Sequence, residues 1–140
     1  MAHTYTLLKD RRGTSAIEFA IVAPIFILVL TTIAAYAIYF GAALSVEQIA
    51  ADAARYSVAG LTATERSTLA KQYIETATLK NPLLDRDDLK VDVATDPAAP
   101  QQFTVSLSYD AKALPIWDLF SFPLPAKDIR RFATIRIGGA

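Results

Sequence analysis

Glu18 places a carboxylate where charge is costly. The residues that follow it, 19–46, contain no Asp, Glu, Lys or Arg, and about 20 apolar residues are enough to carry a helix across a bilayer. An anion at the rim of such a run is unfavourable in lipid and needs a partner or a route to the headgroups. Upstream lie Lys9, Arg11 and Arg12, offset only by Asp10, and then Gly13, Thr14 and Ser15. Phe19 stands directly after the carboxylate. The chemistry on offer is electrostatic: one acidic group at an apolar boundary, close to a basic head.

Other chemistry finds little support. The single histidine, His3, lies in the N-terminal tail, and there is no cysteine, so disulfides and thiolate zinc sites are excluded. Ser and Asp residues have no histidine beside them, and no glycine-rich phosphate loop is present. Neither catalysis nor a cofactor is expected. Asp85, Asp87 and Asp88 are clustered, but a calcium loop also needs a turn glycine and a closing Glu, so a solvated turn is the expectation. With 14 basic and 14 acidic side chains the net charge is zero, which argues against nucleic acid as a partner.

The elements that must position Glu18 are readable from periodicity. A helix is expected over 14–59, opened by Ser15 and Glu18 as a capping box, kinked at Pro24 and stopped by Gly60. Its second half is amphipathic, with Val46, Ile49, Ala50, Ala53, Ala54 and Ser57 on one stripe. From about residue 15 to 59 it would measure roughly 68 Å at 1.5 Å per residue, far more than the roughly 30 Å of hydrocarbon. The excess must leave the membrane and pack on the domain that follows. Ala34, Ala35, Gly41, Ala42 and Ala43 are small enough to permit close helix packing.

A second helix is signalled by the capping box Thr62–Glu65 and by the face Leu69, Ala70, Tyr73, Ile74 and Ala77, ending at Asn81-Pro82. The period then changes to two. Leu89, Val91 and Val93 form one strand, Phe103, Val105, Leu107 and Tyr109 a second, and Ala133, Ile135 and Ile137 belong to a third. The stretch Asp96-Pro97-Ala98-Ala99-Pro100 reads as a connection, since proline avoids central strands. The expected fold class is α+β: a basic leader at 1–13, the long helix, and a small domain at 60–140 of one helix and a three-stranded antiparallel sheet. The basic flank predicts a cytoplasmic N-terminus and a C-terminal domain across the membrane.

The stretch Arg11-Arg12-Gly13-Thr14-Ser15-Ala16-Ile17-Glu18-Phe19-Ala20-Ile21-Val22-Ala23-Pro24 resembles the N-terminus of TadE-like proteins, the pseudopilins of the tight-adherence (Flp) pilus. The likeness continues through Gln48, Ala50, Ala53, Ala54 and Arg55, over about residues 11 to 58. It implies a single-pass protein of the bacterial inner membrane with a periplasmic domain. Its partners would be a prepilin peptidase, other pilin or pseudopilin subunits, the pilus assembly machinery and the bilayer. The peptidase would cut between Gly13 and Thr14 and make Glu18 the fifth residue of the mature chain. Glycine suits that position physically, because it has no side chain and a permissive backbone. The new amine and Glu18 are then a cation and an anion at a lipid rim, each less costly when paired.

Two other fates are open. Ala35-Tyr36-Ala37 resembles a signal-peptidase site, whose use would release a secreted binding protein starting at Ile38. An uncut anchor in an envelope complex would keep Met1 or Ala2. One further segment draws notice: residues 114–125 carry Trp117, Phe120 and Phe122 among prolines, and read either as a loop folded over the sheet or as a partner-binding patch.

Overall fold

A computed structural model of the chain describes residues 11–96, 98–117 and 126–137. They fall into two compact units, one up to Ala35 and one over Tyr36–Ala140. The first helix, α1, covers Arg11–Ser57. It takes in residues 11–14, so Ser15 and Glu18 lie inside it and cap no end, contrary to expectation. Arg11, Arg12 and Ala16 are good helix formers and offset Gly13 in this first stretch. Pro24 is accommodated within α1, where it withholds one N–H from the ladder. The helix ends at Ser57 rather than 59. A turn follows, in which Gly60 N–H donates to the Ser57 carbonyl at 3.0 Å.

In the second unit, one stripe of α1 is buried, from Tyr39 through Ala42, Ala43, Val46, Ile49 and Ala53 to Ser57. This is the helical spacing of a core-facing surface. The expected stripe at 46–57 is therefore present, and it begins earlier. The small residues serve this packing: a Cβ on Gly41 would lie 3.3 Å from Leu83 Cδ1.

The second helix, α2, covers Ala63–Leu79. Its capping box is formed as expected. Glu65 N–H donates to Thr62 Oγ1 at 3.1 Å, and Glu65 Oε2 accepts from Thr62 N–H at 3.2 Å and from Leu61 N–H at 2.9 Å. Ala70, Ile74 and Thr78 are its buried positions. The connection between the helices depends on Gly60. A Cβ there would meet Arg66 N at 2.7 Å and Arg66 Cα at 3.1 Å, which are backbone atoms that cannot swing aside.

Three strands follow, β1 (Leu89–Asp96), β2 (Ala99–Asp110) and β3 (Asp128–Arg136). They form one antiparallel sheet in the order β1-β2-β3. Phe103, Val105, Leu107 and Tyr109 are buried, while Thr104, Ser106 and Ser108 between them are half-exposed. One face is thus core and the other faces water. The helices cover the core face: α2 lies against β1, and Glu47 of α1 reaches Arg131 of β3 at 3.5 Å. The fold is two-layered α+β, as its periodicities predict.

The proline-rich connection is shorter than expected. Asp96 pairs with Ala99, and Pro100 lies inside β2, the central strand. Two features make this possible. The β1–β2 register shifts between Thr95 and Asp96, and β3 pairs with β2 only from Gln102 onward. Pro100 therefore sits at an irregular strand end where no ladder donor is needed.

Tyr109 ties β2 to the 83–85 segment. Its hydroxyl accepts from Asp85 N–H at 3.4 Å and approaches the Leu83 carbonyl at 3.5 Å. Burial pushes its phenol above the usual value of 10.0; the Asp85 N–H pulls the other way, and the Asp88, Asp85 and Asp110 carboxylates add to the rise. Asp85 also closes a local turn, with Oδ1 accepting from Asp87 N–H at 3.1 Å.

Two outcomes follow for the full chain in detergent. Gly60→Ala lowers stability by about 1–3 kcal/mol, because the added methyl overpacks the turn; thermal unfolding followed by circular dichroism measures this. Tyr109 holds its proton to higher pH folded than unfolded. Its contribution is therefore complete below the unfolded value of 10.0 and is lost as pH rises through the folded one. Tyr109→Phe consequently flattens the fall in unfolding midpoint between roughly pH 9 and 11.

Candidate assembly and processing site

The N-terminal unit is built from the first part of α1. Its apolar side chains surround the helix: Ile17, Ile21, Val22, Ile25, Phe26, Leu28 and Ile33 are all exposed, and Phe19 is 73% exposed. A helix segment that exposes large apolar side chains on every side is suited to lipid. It is long and apolar enough to cross a bilayer. The two hydroxyls in this run are satisfied internally. Thr31 Oγ1 donates to the Ile27 carbonyl at 2.7 Å and Thr32 Oγ1 to the Leu28 carbonyl at 2.8 Å. Hydrocarbon demands this, since it offers no water to a polar group.

Gly13, Thr14, Glu18 and Phe19 lie on the first turns of α1, all exposed. Thr14 and Glu18 are four residues apart and share a helix face, with side chains one turn from each other. Gly13 has no packing duty. A Cβ there meets nothing within 4 Å, and its backbone is in the ordinary helical region. Glycine in a helix costs up to about 1 kcal/mol relative to alanine, and among the described residues no packing contact accounts for this one. Arg11 and Arg12 extend the same helix; Lys9 lies outside the described residues.

The aromatic segment divides. Leu114 and Ile116 are buried, which places the start of the segment in the core. Trp117 is half-buried. Its Nε1–H donates to the Ala111 carbonyl, and Lys127 Nζ lies 5.5 Å from its ring centre. Phe120 and Phe122 lie outside the described residues. Beyond them, Tyr39 Oη donates to the Ala126 carbonyl at 2.9 Å, joining α1 to the approach to β3, a contact that no sequence pattern announces. The alternative cleavage site, Ala35-Tyr36-Ala37, lies within α1 with Ala35 fully buried.

Residues 13–55 match the family model described as TadE-like protein. This chain carries a TadE-like helix. The matched span starts at Gly13, includes Glu18 and Pro24, and takes in most of the buried stripe of α1. Neither a curated protein nor a solved structure matched the chain. The match thus covers the membrane-competent part of α1 and its buried continuation, and not the rest of the second unit.

Replacing Gly13 by Ala should leave the TadE-like helix intact or strengthen it by up to about 1 kcal/mol. Far-UV circular dichroism of the two full-length forms in micelles measures this; lost helicity would assign Gly13 a structural duty.

Proposed function

We propose that this chain is a TadE-like minor pilin or pseudopilin that acts in assembly of a tight-adherence pilus after a prepilin peptidase removes its first 13 residues. The observation that carries the reading is the mismatch at Gly13. A helix-weakening residue stands where the fold needs none, directly before Thr14 and five positions before the acid. A protease must unwind its substrate to reach the peptide bond, and glycine lowers the cost of unwinding. Arg11, Arg12 and Lys9 hold this bond at the cytoplasmic face, which leaves the second unit on the periplasmic side of the inner membrane.

Cleavage creates an ammonium on Thr14 where an amide had been. Glu18, one turn along the same helix face, is then close to a cation and near the positive end of the shortened helix. Both terms favour the carboxylate. When helices gather laterally in the bilayer, the same amine can serve the Glu18 of a neighbour, so the pair sets axial register between subunits. Phe19 and the apolar girdle keep water from the pair, which strengthens it.

The test is coexpression with a Tad-type prepilin peptidase in intact cells. Intact mass should show the chain beginning at Thr14, and Gly13→Ala should leave it full-length despite its sound helix. Glu18→Ala should still be cut, yet should lower pilus formation at least several-fold. A wild-type chain left full-length by an active peptidase would defeat the reading.

A further inference from the structure

The sheet ends in two edges of opposite character. Among the described residues, β1 and β3 each pair only with β2. β1 carries Lys90, Asp92 and Asp96, and Asp87 and Asp88 precede it; β3 carries Asp128, Arg130, Arg131 and Arg136. One edge is net acidic and the other net basic. Arg131 is engaged by Glu47, while Arg130 lies on the water-facing side with Phe132, which is 74% exposed, its guanidinium 3.9 Å from the Asp128 carboxylate in a long, exposed pair. Lys90, Asp92 and Ala94 are exposed on β1. An edge strand presents a row of backbone groups free to pair with another chain.

We propose that these edges join copies of the chain, β3 of one adding in parallel to β1 of the next, displaced by two residues. The displacement follows from charge. Lys90 and Arg130 both pair with Ser108, and Asp92 and Phe132 both pair with Ser106, so they mark equal heights on the two edges. A level junction would set Arg130 beside Lys90 of the next copy, like against like. A slip of one residue would turn the core face outward. A slip of two sets Asp128 beside Lys90, Arg130 beside Asp92, and Phe132 over Ala94. The opposite slip would set Arg130 beside Asp88, which lies before β1 begins, and Asp128 beside Arg86, held by Glu75 at 2.8 Å; the preferred slip disturbs only the looser Arg130–Asp128 pair at 3.9 Å.

Such a contact uses two different surfaces, so a copy bound through one edge still offers the other. Each copy advances by roughly 6.6 Å along the strand direction, two residues at about 3.3 Å each. Parallel addition keeps the strands of neighbouring copies in the same sense, each turned relative to the last by the twist of the sheet. A two-fold pairing of β3 with β3 would instead bring two basic strands together.

The chain has no cysteine of its own, so introduced thiols report cleanly. Adjacent strands lie within disulfide range. Full-length Ala94→Cys and Phe132→Cys chains, coexpressed in native membranes and oxidised, should give a disulfide dimer. The double variant should give a ladder, and either single variant alone should give monomer. Pairing Ala94→Cys with Thr134→Cys, which a level junction would favour, should crosslink several-fold less. Arg130→Asp, introduced in the Phe132→Cys chain, should cut the yield several-fold, and Asp92→Arg in its partner should restore it. Mixed pairs no better than singles, predominance of single-variant dimers, a stronger Thr134 pair, or no rescue by the swapped charges would each overturn the proposal. It rests on the reading that copies of the chain assemble, but not on cleavage. Crosslinks formed by a chain that the peptidase leaves uncut would sink the processing step alone, and a cut chain without crosslinks would sink the edge pairing alone.

Discussion

A helix that turns large apolar side chains outward on every side is suited to lipid and costly in water, and that constraint bears on the rest of this molecule. From Ile17 to Ile33 large apolar side chains project in all directions, and the hydroxyls among them bond back to the helix. A single acid at the entry to such a segment is tolerated only with a cation nearby or with access to headgroups. Glu18 has a basic head before it and, in the proposed mature form, an amine one turn away. Gly13, whose absent Cβ would touch nothing within 4 Å, is the residue proposed to make the second arrangement accessible.

The same helix does different work past Tyr36. There its small residues, Ala42, Ala43, Ala50, Ala53 and Ala54, are buried in the second unit, and the first charges, Glu47 and Asp52, appear on its surface. Glu47 meets Arg131 on β3 and Asp52 meets Arg55 at 2.8 Å. Both pairs are largely exposed, so their value lies in orientation more than in stability. The buried stripe and the alternating face of β2 supply the cohesion, and the cap at Thr62 with the tight turn at Gly60 sets where α2 begins.

Much of this was legible because local rules decide it. The Thr62–Glu65 box, the period-two face of Phe103 to Tyr109 and the stripe from Val46 to Ser57 each follow from spacing alone. Where tertiary contacts decide, the residues were silent. Gly60 reads as a helix stop, yet its necessity comes from the backbone of Arg66. Pro100 reads as an exclusion from the central strand, yet a register shift admits it. Gly13 and Ser15 read as a boundary, yet the helix continues through both to Arg11. The site was legible as chemistry, an anion at an apolar rim, before its geometry was known; what the geometry adds is that Gly13 touches nothing and that Thr14 and Glu18 share a face.

The most direct measurement is the identity of the first residue in protein taken from its native membranes, read by intact mass and terminal sequencing. The account predicts a chain that starts at Thr14, four residues before the acid whose charge it balances. A chain that starts at Met1 or Ala2, or at Ile38, would contradict it.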